Sequence, residues 1–325
     1  MSRVLVTTLH RTAGADQSHG YLIEIDWDRK CVTQKIEAPP LWSQFGERGR
    51  GGRRGLRGIT YYNGLIWVAS CDCLFGFAPE GLRPERMISH PYMSHVHEIE
   101  GASDGIWVTS TNGNGVFQIN ERQEVIKEGW IEGPPTQDMR VHMEKHYDRY
   151  HVNTVFFAGT DVFGYSATTG KVYKMWPGPV TEVIELEKRC HNVSRTKFGW
   201  IRNVSGKSIL KVGVDEISIP VRGEKDEFTK PGWLRGMAWL SDSRVLIGSS
   251  PATLFEIDLV ERKILSEMPL EQDVGWTTHG IYVDNRKCAE GPINGNAIFD
   301  VQSIKEAVRG GRPRGMRKLF KRLGF

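Results

Sequence analysis

The sequence predicts an all-β chain folded as a six-bladed β-propeller, and three observations carry that expectation. A four-residue pattern occurs six times: Leu56-Arg57-Gly58-Ile59, Val96-His97-Glu98-Ile99, Val152-Asn153-Thr154-Val155, Cys190-His191-Asn192-Val193, Leu234-Arg235-Gly236-Met237 and Thr278-His279-Gly280-Ile281. Its second positions are separated by 40, 56, 38, 44 and 44 residues; without the 18 residues of an insertion at 132–149, the long step falls to 38. A period near 40 kept over most of a chain is the mark of a radial or solenoid array. Between the copies lie short β-runs joined by Asn/Gly/Asp-rich turns such as Tyr62-Asn63-Gly64 and Asn112-Gly113-Asn114-Gly115, which is how antiparallel meanders close. Helix signals are nearly absent before the C-terminus, and ten Trp with 36 Gly suit a turn-rich β-protein.

Taken in order, residues 4–9, 20–26 and 32–37 read as three strands with no inner strand before them. The missing strand is supplied by 279–283, so the termini share a blade and no sheet edge is left open at the seam. Residues 38–55 form a long Gly/Arg-rich loop leading into the first motif. Blade one follows at 59–62, 65–70, 74–78 and 84–88, and blade two at 96–100, 106–110, 115–120 and 124–130. Ile66-Trp67-Val68-Ala69-Ser70 and Ile106-Trp107-Val108-Thr109-Ser110 match closely, each a second strand with its tryptophan packed between blades. The insertion 132–149 reads as a short irregular helix. Blades three, four and five begin at 151, 192 and 236 on the same plan. A strand at 296–301 would make seven blades the alternative. The propeller is expected to span 1–302, with a short helix and a basic tail over 303–325.

No apolar run approaches the roughly 20 residues of a membrane-spanning helix, and Met1-Ser2-Arg3-Val4-Leu5-Val6 enters a strand without a secretory apolar core. Five cysteines without framework spacing point to a reducing, cytoplasmic setting. The net charge of +4 is local: residues 309–325 carry seven Lys/Arg and no acid, so the rest of the chain stands at −3. That tail is a candidate contact for an anionic membrane surface. It lacks an aromatic stacking platform, which argues against nucleic acid. No phosphate loop, nucleophile elbow or serine triad appears, and Cys71-Asp72-Cys73 lacks the second pair a metal site needs.

In a propeller the first strand of each blade lines the axis, so the six second positions meet in one funnel. They are Arg57, His97, Asn153, His191, Arg235 and His279. Residues two apart on a strand share a side, which adds His95 and His151; five of the ten histidines then fall in one place. One reading is a polar ring around a wet channel. The other is chemistry: His97, His191 and His279 holding a divalent zinc, iron, manganese or nickel ion with open positions, and His151 or His95 as general base or fourth ligand. Buried guanidiniums call for an anion, so Arg57 and Arg235 are candidates for catalysis and substrate binding, joined by Asn153 and, from the loop, Arg53 and Arg54.

These repeats resemble the six-bladed propeller superfamily of regucalcin-like lactonases, strictosidine-synthase-like enzymes and peptidyl-hydroxyglycine amidating lyases. The resemblance covers about residues 1–300 and is architectural. The column lacks the acid and asparagine set of the regucalcin type. The lyase type, which holds a metal with histidines from different blades beside an arginine, implies His97, His191 and His279 as ligands and Arg57 or Arg235 as substrate-orienting. The expectation is a metal-dependent lyase or hydrolase acting on a small anionic substrate. The alternative is a non-catalytic scaffold, or a sensor of an anionic metabolite, that docks a protein or membrane partner.

Overall fold

In the computed structural model the structure describes residues 2–11, 13, 18–38, 55–140, 148–225, 230–273 and 276–284. These form 24 strands in six four-stranded antiparallel sheets. The chain opens with β1 (Arg3–His10), β2 (Tyr21–Asp26) and β3 (Cys31–Glu37). Blade one comprises β4 (Ile59–Tyr62), β5 (Leu65–Ala69), β6 (Leu74–Phe77) and β7 (Pro84–Ile88). Blade two comprises β8 (Ile99–Gly101), β9 (Ile106–Ser110), β10 (Gly115–Ile119) and β11 (Val125–Trp130). In blade three are β12 (Val152–Ala158), β13 (Asp161–Ser166), β14 (Lys171–Trp176) and β15 (Thr181–Glu185). Blade four holds β16 (Cys190–Thr196), β17 (Gly199–Val204), β18 (Ile209–Val212) and β19 (Asp215–Ser218). Blade five holds β20 (Arg235–Trp239), β21 (Arg244–Gly248), β22 (Thr253–Asp258) and β23 (Lys263–Pro269), and β24 (Trp276–Asp284) ends the described chain.

The last strand, β24, pairs antiparallel with β1 from Arg3↔Asp284 to His10↔Trp276, so the closing blade reads β24-β1-β2-β3. This is the expected mixing of termini. Arg3 fastens it: Nε donates to Glu24 at 2.9 Å, Nη1 to Asp284 at 3.0 Å, and Nη2 to the Pro79 carbonyl of blade one at 2.6 Å.

Strand periodicity explains how the blades hold together. Alternate residues of a strand face opposite sides of the sheet. On β5, Ile66 and Val68 pack into a cluster with Leu5 and Leu22 of the closing blade, while Trp67 and Ala69 pack against Val96, Ile106 and Phe117 of blade two. On β9, Ile106 and Val108 look back to blade one, and Trp107 looks forward to Val152 and Met175 of blade three. Three further clusters join blades three and four, four and five, and five and the closing blade. The circuit of six interfaces is complete, so six blades is the count and the ring has no gap for a seventh.

Three sequence expectations are corrected or fall outside the described chain. The inner strand of blade two starts at Ile99 and not at 96, because His95 adopts a left-handed φ of 54°. The Thr109 hydroxyl instead accepts from the His97 and Glu98 amides at 3.0 Å each, replacing ladder bonds. The described part of the insertion, 132–140, contains turns and no helix. Residues 39–54 and 141–147, with Arg53 and Arg54, and residues 285–325, with the helix at 303–308, the tail 309–325 and the strand at 296–301, lie outside the described residues. Among the described residues no helix is long and apolar enough to cross a membrane.

Candidate functional site: an arginine and histidine funnel

The six motif copies meet at the axis, and a glycine in the third position lets some of them approach closely. A Cβ on Gly280 would lie 2.4 Å from the Arg57 carbonyl oxygen, and one on Gly58 would lie 2.7 Å from the Ile99 amide nitrogen. Gly236 and Asn192 answer a different need. They take φ of 78° and 52°, where the pairing registers of β20 with β21 and of β16 with β17 each slip. Such bulges twist a strand and re-aim its side chains. In these two copies the inner strand is bulged, with the residue before the bulge turned to the axis. Neighbouring copies are tied directly, Gly58 N–H donating to the His97 carbonyl at 3.0 Å and Arg57 Nη1 to the Val96 carbonyl at 3.0 Å.

Five imidazoles come together as the spacing predicts. His95 stacks on His97 with centroids 4.9 Å apart and planes 8° from parallel, the same-side placement expected two residues apart. His97 lies 5.1 Å from His151, 5.9 Å from His191 and 5.3 Å from His279. His95 and His151 form the open layer, both with positive φ. Beneath them His97, His191, His279, Arg57 and Arg235 are all buried. Asn153 is drawn elsewhere: its amide donates to the Cys190 carbonyl at 2.9 Å and it is fully buried, so it serves the joint between blades three and four and is not presented to the funnel.

Hydrogen bonding fixes which nitrogens carry protons. Arg235 Nη1 stands 3.4 Å from His97 Nδ1 and 3.3 Å from His279 Nε2. A guanidinium can only donate, so both of those nitrogens are acceptors and the protons reside on His97 Nε2 and His279 Nδ1. His191 Nδ1 lies 2.9 Å from Ser205 Oγ, whose own proton goes to the Leu234 carbonyl at 2.6 Å. His191 Nδ1 therefore donates, and its Nε2 keeps a lone pair. His97 Nε2, His279 Nδ1 and His191 Nε2 are buried and have no hydrogen-bond partner among the described residues. Burial of an unmet polar group costs about 1–3 kcal/mol, so two donors and one acceptor are held ready for something.

Burial is the main cause that holds these three imidazoles well below their ordinary pKa. For His97 the next causes are His95, Arg57, His151 and Arg235; for His191, Arg235, His151 and Arg11; for His279, Arg235, Arg57, His191 and Arg11. All three are neutral at neutral pH, and the positive charge of the funnel resides on arginine. Arg11 is one that sequence reasoning missed. It follows β1 and sits 4.5 Å over the Trp233 ring, with Arg235 5.8 Å from the same ring; no local pattern marks it, because the closing of the ring brings it here. Asp148 was missed too, though its spacing of three from His151 was a signal. Its carboxylate lies 2.9 and 3.0 Å from His151 Nδ1, at the half-exposed rim.

These residues do not fit a metal ion. The Arg235 guanidinium already occupies the space between His97 and His279, taking one nitrogen of each, and a second cation there would meet it at contact range. Among the described residues no group of three or more His, Cys, Asp or Glu is disposed to hold a metal. The placement of His97, His191 and His279 thus gives no support to a transition-metal centre. Cys71, Asp72 and Cys73 are a buried turn, and burial together with Asp72 pushes the Cys73 thiol well above its ordinary value, the opposite of a metal-ligating thiolate.

No family profile matches the sequence, and no curated protein matches it. Among solved structures, a Bacteroides caccae protein of unknown function is similar over 88% of this chain and 99% of its own, with a TM-score of 0.56 at 12% identity. Virginiamycin B lyase from Staphylococcus aureus is similar over 85% of this chain and 92% of its own, with a TM-score of 0.48 at 11% identity. The Neurospora crassa Pan2 WD40 domain is similar over 66% and 65%, with a TM-score of 0.44 at 11% identity. At such identities a likeness concerns fold alone, since one fold hosts many unrelated activities. The chain is a six-bladed β-propeller by its own strand order, and its function has to be read from its own funnel.

Proposed function

We propose that this propeller is an enzyme that binds a small anionic substrate in the funnel and acts on it by acid–base chemistry, as a lyase or hydrolase. The observation that carries the reading is the pair of unpaired donors, His97 Nε2–H and His279 Nδ1–H, on imidazoles that Arg235 bridges. Fixed donors in a water-poor site stabilise an oxyanion without reorganising, and Arg57, Arg235 and Arg11 supply the charge that draws an anion in. His151 is placed to act as the general base. Asp148 accepts from its Nδ1, which leaves the Nε2 lone pair for a substrate proton and stabilises the imidazolium that forms. In this scheme guanidinium and N–H donors hold the anion where the sequence alone pointed to a metal.

The test is calorimetric titration of the intact protein with inorganic phosphate, acetate and malonate, followed by a turnover screen of lactones, carboxylic esters and β-substituted carboxylates. Arg235→Gln should weaken anion binding at least about tenfold with the melting temperature retained. Asp148→Asn should keep binding and lose turnover, by a factor on the order of 10² or more. Anion binding unchanged in Arg235→Gln overturns the site. Binding without turnover of any substrate class overturns the catalytic part and leaves an anionic-metabolite sensor.

A further inference from the structure

Past the arginine and histidine layer, the inner strands continue along the axis and line a half-open cavity of 290 Å³. Its wall carries Glu98, Glu100, Asn192, Trp239, His279 and Tyr282, and no lysine or arginine lines it. We infer that this cavity binds a small neutral polyhydroxylated molecule, of the size of a monosaccharide or a linear polyol.

The size comes first. The volume holds about ten waters and is far more than a bare ion needs, yet it sits at the lower end of the range for organic ligands. The wall then sets the chemistry. Glu98 accepts from Asn192 Nδ2 at 2.6 Å, and Asn192 Oδ1 in turn accepts from Asn203 at 3.0 Å, so these planar groups are held in place by a network running through blade four. The Asn192 and Val155 backbone amides also reach the Glu98 carboxyl, and Glu100, two residues on, lines the same cavity. His279 contributes the opposite polarity: it is buried, it forms part of the wall, and with Nε2 against Arg235 its unpaired Nδ1–H is the nitrogen left to a ligand. Trp239 and Tyr282 are only partly covered and offer ring surface to the C–H face of a ring or chain.

Charge argues for a neutral occupant over a cation. Burial raises the Glu98 carboxyl to about 8, with Glu100 adding to the rise, and burial alone raises Glu100 to about 7. At neutral pH both can hold protons and so donate as well as accept, as hydroxyl groups require of their partners. An ammonium group would gain little from a protonated Glu98 and would meet the His279 N–H with its own donors. This inference shares the His279 N–H with the anion reading, but its other wall residues follow the column positions and its probes carry no charge.

The test is ligand-observed NMR and calorimetry on the full chain at pH 7 with glucose, galactose, mannose, ribitol, cyclohexanol and cyclohexylammonium. At least one of the four polyols should bind saturably and cyclohexanol should not, since a site built for hydroxyls rejects an analogue lacking them. Glu100→Gln, which leaves the Asn192 contact intact, and Trp239→Ala should each weaken that polyol by on the order of tenfold. The melting temperature should be retained in both variants, which serves as the check that they fold. The inference is overturned if no polyol binds, if cyclohexanol binds as well as the polyols, if cyclohexylammonium binds more tightly than any polyol, or if neither variant changes polyol binding.

Discussion

Replacing Glu98 with glutamine isolates one ionisation from the rest of the funnel. In the folded protein its carboxyl titrates at about 8 against an ordinary 4.5, mainly because it is buried and secondarily because Glu100 is beside it. A carboxyl whose folded pKa lies above its unfolded value keeps its proton better when folded. Its contribution to stability is complete below pH 4.5 and is lost progressively as pH rises toward 8. At about 1.36 kcal/mol per pH unit the full displacement corresponds to about 5 kcal/mol. Glu98 is partly open to the cavity, where water screens it, and roughly 2 kcal/mol is the working figure. Glutamine keeps one acceptor oxygen for the Asn192 side chain and the neighbouring backbone amides and cannot ionise. Urea unfolding of both proteins at pH 5, 7 and 9 should therefore show the variant gaining roughly 2 kcal/mol on the native chain between the first and last pH. The comparison across pH removes any fixed effect of the substitution. Parallel stability curves for the two proteins would refute the assignment of a protonated Glu98 to the axial cavity.

The other predictions concern the funnel floor, the axis and the seam. His97, His191 and His279 are held neutral in the fold, so each stabilises fully above its unfolded pKa of about 6.5 and the contribution is lost as pH falls below it; thermal melts from pH 7 to 5 should decline, less steeply in His191→Gln. Gly280→Ala would drive a methyl into the Arg57 carbonyl and should cost about 1–3 kcal/mol in chemical unfolding, weakening phosphate binding as Arg57 shifts. Arg3→Ala leaves Glu24 and Asp284 buried without their shared cation, and should lower stability by about 3–5 kcal/mol, with hydrogen exchange increasing first across the β1–β24 pairing.

Much of the fold was legible because a propeller writes its period into the chain. The motif spacing, the two matching second strands with Trp67 and Trp107, and the unpartnered N-terminal strands were enough to give the blade count and the closure. They succeed because each blade must bury both faces against its neighbours, and that demand imposes alternation wherever the strand lies. The start of blade two was misplaced because the Thr109 hydroxyl stands in for ladder bonds, a substitution invisible to pattern. The helix expected in the insertion rested mostly on residues 141–147, which lie outside the described residues, and the described stretch 132–140 forms turns.

The sequence by itself pointed to Arg57, His97, His191, Arg235 and His279 sharing an axis, since repeat position marks the inward residue of these inner strands, although Asn153 at the same position is drawn into the joint between blades three and four. It could not determine what they do there. Which ring nitrogens of His97 and His279 carry protons depends on where one guanidinium settles. Arg235 settles between His97 and His279 because five other blades fix the width of the funnel. The same holds for Arg11, brought in by ring closure, and for Glu98 and Glu100, whose proton affinity is set by burial. Distances of a few ångströms and burial are properties of the assembled ring, and they set the hydrogen-bond partners and proton affinities that residue types had left open.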